Sequence, residues 1–169
     1  MRRLVLTVIG DDRAGLVSAL SEAIATHAGN WERSQLAELA GKFAGIVVVG
    51  VPDEKAEGLL ATLAGLDGLL EVAAYPGSDR ERAGSRLTID LLGNDRPGIV
   101  REVSAVLSRH ELSIESMETA TREAPMAGGQ LFEAHVVVGV RAEEDLTGVR
   151  ADLERLTAEL LVDIAVAHD

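Results

Sequence analysis

Two hydrophobic rhythms alternate along this chain, and the whole alternation occurs twice. Residues 4–9 and 87–92 are short apolar runs, partly β-branched, that end at Gly-Asp-Asp-Arg and Gly-Asn-Asp-Arg; they read as strands. A helical period follows each. Leu16, Val17, Leu20, Ala23, Ile24 and His27 fall on one helix face, and Ile99, Val100, Val103, Val106, Leu107 and His110 repeat the spacing. Residues 30–36 and 113–119 read as edge strands, residues 43–51 and 132–140 as central ones. A second helix is predicted through Ala56, Leu59, Leu60 and Leu63, with Leu146, Val149, Leu153, Leu156 and Leu160 as its twin. Final strands are predicted over residues 69–75 and 160–167. The order βαββαβ, twice, predicts an α+β fold of two ferredoxin-like units in tandem, each an antiparallel sheet with both helices on one face.

The duplication is legible residue by residue. At an offset of 83, ten of the 34 pairs from Arg3/Arg86 to Leu36/Thr119 are identical. After a six-residue insertion in the second copy, KFAGIVVVGV at 42–51 aligns with LFEAHVVVGV at 131–140. Residues 76–85 (PGSDRERAGS) carry turn formers and charge without apolar periodicity. The expected division is therefore a first unit over 1–76, a linker over 77–85 and a second unit over 86–169. The insertion falls in residues 120–130 (ATREAPMAGGQ), a turn-rich hairpin tip.

Strand alternation assigns faces. Asp90, Glu133 and His135 belong on the side away from the helices, since a dry core would leave them unpaired. That puts Leu87, Ile89, Leu91, Phe132, Ala134, Val136 and Val138 inward. The same phase gives unit one an open face of Val5, Thr7, Ile9, Ala44, Ile46 and Val48. An apolar open face implies a covering surface, from the second unit or another chain.

Charge and composition narrow the functional classes. The chain has 169 residues, no cysteine, four aromatics and a net charge of −12. Thiolate metal sites and disulfides are excluded, and direct nucleic-acid binding is not expected without a basic surface or stacking aromatics. No apolar run approaches the roughly 20 residues that span a bilayer. The N-terminal apolar stretch is too short for a secretory signal and is followed by Asp11 and Asp12, so a cytoplasmic location is expected.

The motif at residues 10–17, GDDRAGLV, and at 93–100, GNDRPGIV, sits where a strand hands over to a helix. A helix N-terminus offers unpaired N–H groups and a positive dipole end to a carboxylate. Asp11, Asp12, Asn94 and Asp95 can cap that helix or accept hydrogen bonds from an ammonium group. Gly15 and Gly98 permit close backbone approach, and Pro97 suits a first helical turn. Together these features suit a zwitterion; a capped turn with no ligand, its Arg13 and Arg96 paired to nearby acids, is the competing reading. The arginines occupy the anion loop of acylphosphatase-like folds, but no matching partner pattern accompanies them. His27 and His110 end matching helices without ligand spacing and read as structural, and His135 reads as a partner for Asp90 or Glu133.

GNDRPGIVREVSAVLSRHELSIESMET resembles the first βαβ of an ACT domain, an amino-acid-binding regulatory module, and GDDRAGLVSALSEAIATHAGNWERSQL is a looser copy with Ala14 where proline is usual. Two such units filling a chain of this size resemble the glycine cleavage system transcriptional repressor group. The resemblance implies no catalytic activity, no cofactor and no metal. It implies side-by-side pairing of units, hence a homodimer, with a small amino acid at the paired interface. The implied ligand-binding residues are Asp11, Asp12, Arg13, Gly15 and Leu16, their counterparts Asn94, Asp95, Arg96, Pro97, Gly98 and Ile99, and Asn30, Ser113 and Ile114 (with Trp31) at the openings of the second strands. It also implies an adaptor that acts on a partner such as a transcription factor rather than on DNA. The alternative is an interaction or oligomerisation module indifferent to amino acids.

Overall fold

The computed structural model describes residues 1–78, 84–125, 128–141, 145–160 and 162–168. The chain divides into two compact units, Met1–Arg80 and Glu81–Asp169. Most of the expected linker, residues 79–83, lies outside the described residues, as do positions 126–127 of the insertion and residue 161.

Unit one runs β1 (Arg2–Asp11), α1 (Leu16–Thr26), β2 (Asn30–Leu39), β3 (Lys42–Val51), α2 (Ala56–Ala64) and β4 (Glu71–Pro76). Unit two runs β5 (Ser85–Asn94), α3 (Ile99–Arg109), β6 (Ser113–Glu123), β7 (Gln130–Val140), α4 (Thr147–Leu160) and β8 (Val162–His168). The sheets have the orders β2-β3-β1-β4 and β6-β7-β5-β8. All neighbours are antiparallel. These are the two ferredoxin-like units expected.

One face of each sheet builds the core. In unit one Leu4, Leu6, Val8, Val47, Val49 and Val51 alternate inward and meet Leu16, Leu20, Ala23 and Ile24 of α1 and Ala56, Leu59 and Leu63 of α2. In unit two the inward set is the predicted one, joined by Val103, Val106 and Leu107 of α3 and Val149, Leu153 and Leu156 of α4. Full burial of each such valine, leucine, isoleucine or phenylalanine side chain contributes about 1.5–3 kcal/mol. Among the described residues no polar side chain is buried.

The helical stripe is narrower than its spacing predicts. Val17 and Val100 are 45% and 42% exposed. Each is rotated 100° from the buried residue before it, at the margin of the stripe and in the first turn, so the sheet does not reach it. Both helices end on a residue in the left-handed region, Ala28 (φ 53) and Glu111 (φ 55), after His27 and His110. His27 donates from Nδ1 to the Ala23 carbonyl (2.9 Å) and accepts at Nε2 from the Thr62 hydroxyl of α2 (3.3 Å). His110 donates from Nε2 to Asp152 of α4 (2.9 Å). The matched histidines thus join the two helices of each unit.

A second repeated device lies on the edge strands. The register shifts by one residue between Trp31 and Arg33, and again between Ile114 and Ser116, so Glu32 and Glu115 are bulged out of their ladders. Glu32 accepts from Arg3 Nε at 3.0 Å and Glu115 from Arg86 Nε at 3.0 Å. A Cβ on Gly50 or Gly139 would stand 2.6 or 2.8 Å from those carboxylates. Three identities between the copies (arginine, glutamate, glycine) therefore reflect one clamp.

The His110 hydrogen bond, then the charges of Arg155 and Arg109, hold the Asp152 carboxyl below the usual carboxylate range. A depressed folded-state pKa contributes stability above the unfolded value that is lost as pH falls through the folded one. In urea titrations from pH 6 to pH 2, the stability gap between the wild type and Asp152→Asn is present at pH 5 and closes below about pH 4, the unfolded carboxylate value.

Candidate functional site

The two motif turns have the same construction. β1 ends at Asp11 and α1 begins at Leu16; β5 ends at Asn94 and α3 begins at Ile99. The backbone reverses through Gly15 (φ 94°, ψ −3°) and Gly98 (φ 102°, ψ −8°), both left-handed. That region costs an L-residue about 1–2 kcal/mol, which explains the glycine in both copies. Each glycine carbonyl accepts the first helical bond, from Ala19 N and Glu102 N at 2.9 Å. Each turn is also tied to the neighbouring hairpin: Asp12 N donates to Gly41 O (2.9 Å), and Asp95 N to Gln130 O (2.8 Å). Ala14 in place of proline leaves this geometry intact.

Several expectations are corrected here. No side chain caps either helix, so Asp11, Asp12, Asn94 and Asp95 are not capping residues. The glycine occupies the cap position, where it has no side chain to offer. Pro97 precedes the cap rather than sitting in the first helical turn. Leu16 and Ile99 are each 2% exposed and belong to the cores, so only their backbone groups can meet a ligand. The apolar side chains that do face solvent beside the turns are Val17 and Val100, which periodicity had assigned to the core face.

Charge distinguishes the two turns. Asp12 and Asp95 are exposed, and neither carries an ion pair or side-chain hydrogen bond among the described residues. Asp11 is paired with Lys42, whose hydrogen bond and charge, with Arg13 adding to them, lower its pKa. Arg13 donates to the Gly68 carbonyl at 2.8 Å, not to an acid. Gly10 belongs to the same contact, since a Cβ there would stand 2.6 Å from the Leu69 carbonyl oxygen. Arg96 does pair with an acid, Glu102 of α3, at 3.4 Å. Glu102 Oε1 lies 3.4 Å from where a Cβ of Gly98 would be, so unit two brings its own carboxylate to the helix N-terminus. The corresponding residue of unit one is Ala19, so α1 has no counterpart of this carboxylate. Glu102 was missed because its six-residue separation from Arg96 is not a helical pair spacing.

Asn30, Ser113 and Ile114 open β2 and β6 as expected, but at the far end of each sheet. Asn30 lies opposite Gly50, which pairs with Arg3, and Ser113 lies opposite Gly139, which pairs with Arg86. Eight residues of strand separate those rows from Asp11 and Asn94, about 27 Å. Within one unit they do not share a site with the turns.

On the open face of unit two, a shallow depression of about 430 Å³ is lined by Asp90, Glu118, Glu133, His135 and their neighbours, and by none of the turn residues. His135 Nδ1 pairs with Asp90 at 2.6 Å, and Arg122 Nε with Glu133 at 2.5 Å. No group of three metal-ligating side chains occurs among the described residues. No helix there is long and apolar enough to cross a membrane.

Two family models, each described as an ACT domain, match residues 2–72 and 85–158. The chain belongs to the ACT-domain family and carries two copies. A UPF0237 protein of Methanopyrus kandleri is 36% identical over 88 residues, half of this chain and 89% of that protein. A Galdieria sulphuraria protein of unknown role superposes with a TM-score of 0.89 at 29% identity, over 99% of this chain and 98% of that one. A protein provisionally named as a glycine cleavage system transcriptional repressor superposes at 0.71 with 14% identity, over 99% and 97% of the two chains; at that identity the likeness is one of fold.

Nothing lies within 4 Å of a Cβ built on Gly15, so an alanine there meets only backbone strain. Gly15→Ala is expected to lower unfolding free energy by about 1–2 kcal/mol, measured by urea denaturation. Gly10→Ala carries no such strain but sets a Cβ 2.6 Å from the Leu69 carbonyl oxygen, so backbone must shift, and it is expected to cost more.

Proposed function

We propose that this protein is a non-catalytic, amino-acid-sensing regulator that modulates a partner protein, such as a transcriptional regulator of amino acid metabolism. The supporting observation is the motif turn of unit one, where an uncapped helix N-terminus is accompanied by an exposed aspartate, Asp12, that has no ion pair among the described residues. The N–H groups at the start of α1 receive a carboxylate. Asp12 receives an ammonium group. Val17 offers an apolar surface to a small side chain. ACT-domain membership supports ligand sensing as the role. The net charge of −12 supports a protein partner over nucleic acid.

The turn of unit one is the better site on this reading. Glu102 and Arg96 already satisfy one another at the start of α3, and a ligand carboxylate there meets a carboxylate in residence. Asn30, Ser113 and Ile114 contribute to a ligand at a turn only when a different unit, or a second copy of the chain, supplies them.

Thermal shift with each of the twenty amino acids at millimolar concentration tests the proposal. A ligand at 100 times its Kd stabilises the folded state by about 2.7 kcal/mol. At least one small amino acid is expected to raise Tm, with Asp12→Asn weakening its binding about tenfold or more, the scale of a lost charged hydrogen bond, and Asp95→Asn weakening it less. Absence of any shift with all twenty would remove the sensing role.

A further inference from the structure

The open faces of the two sheets have diverged. In unit two the face carries Asp90, Glu118, Glu133 and His135. The corresponding positions in unit one are Thr7, Gln35, Ala44 and Ile46. Ile9, Ile46 and Tyr75 on that face are 47%, 48% and 55% exposed, a concentration that an unpartnered surface rarely keeps.

Charge stands at two corners of this apolar field. The register aligns Arg33, Val48, Val5 and Tyr75 in one row, and Ala37, Ala44, Ile9 and Glu71 in the row four residues away. Three strand spacings make one edge of the field about 14 Å, and four residues of strand make the other about 14 Å. The field is therefore nearly square, with Arg33 and Glu71 at opposite corners. Among the described residues neither has an ion pair or side-chain hydrogen bond.

We propose that this face binds a second copy of itself, sheet against sheet, with the strands of the two copies crossing near 90°. A two-fold axis in the interface along the Ala37–Tyr75 diagonal exchanges the other two corners. Arg33 of each copy then meets Glu71 of the other, twice, around a largely apolar centre of Val5, Ile9, Ile46 and Val48 with Thr7 among them. Orthogonal packing is one of the two ways sheets stack. In the aligned alternative, Arg33 falls on Tyr75 or Ala37, and Glu71 is left against apolar side chains. The unit-two face is a poorer occupant, because it has Ser116 where Arg33 stands and gives Glu71 no cation at that corner. Crossed at 90°, two four-stranded sheets overlap over a square about 19 Å on a side, about 370 Å² per copy, so the pair buries about 750 Å² in total, the size of a weak, reversible association.

The test is sedimentation velocity of the full chain from micromolar to submillimolar concentration, with circular dichroism to verify folding. The wild type is expected to show a monomer–dimer equilibrium weakened by salt. Arg33→Glu and Glu71→Arg each bring like charges together and weaken it about tenfold or more. The double variant R33E/E71R restores it. Ile46→Asp gives monomer. A wild type that stays monomeric, single variants that dimerise like the wild type, or a double variant that fails to recover would each overturn the proposal. Amino-acid thermal shifts on the same variants read the sensing role separately, since no residue changed here lies in the motif turns.

Discussion

One constraint governs both halves of the molecule: a four-stranded sheet with two helices on one side can bury only one of its faces. Leu4, Leu6 and Val8 against α1 and α2, and Leu87, Ile89 and Leu91 against α3 and α4, satisfy that constraint identically. The strand pleat forces every second residue to the other side. Core demands do not reach those outward positions, so they were free to change after duplication. One copy acquired an apolar field and the other a charged one, on backbones that share order, register and bulges.

The same separation explains what the chain's amino acids reveal directly. Alternation and helical period depend on near neighbours in sequence, and the strands, helices and inward set were readable from them; His135 could be placed on the outward face, but its choice of Asp90 over Glu133 needed the strand register. The phase argument worked because charged residues in β5 and β7 mark the solvent side without reference to anything distant. Val17 and Val100 were misplaced because periodicity does not say where a sheet stops. The Arg3–Glu32 clamp was invisible for a related reason. The identities were plain, but the bulge that turns Glu32 out of its ladder depends on how β2 pairs with β3.

The turns were half legible. Gly15 and Gly98 were singled out for close backbone approach, but it is their left-handed conformations that require glycine. The roles of the flanking polar residues were not readable. Arg13 reaches a carbonyl 55 positions away, and Asp11 a lysine 31 positions away. Only the fold brings such groups together. Among the described residues the turn carboxylates left without a partner are Asp12 and Asp95, so the pairing pattern, rather than the motif, identifies them.

The bulges at Glu32 and Glu115 carry a consequence for how these sheets can grow. β2 and β6 are outer strands, and an outer strand presents a row of unpaired backbone groups to any extended segment alongside. An extra residue near the start of each row breaks the hydrogen-bonding repeat and places a clamped glutamate at the break. A neighbouring strand can therefore zip along the later part of either edge but loses registry before reaching its beginning. Lateral extension of the ladder is self-limiting, and open-ended polymerisation through these edges is disfavoured by the geometry of two residues.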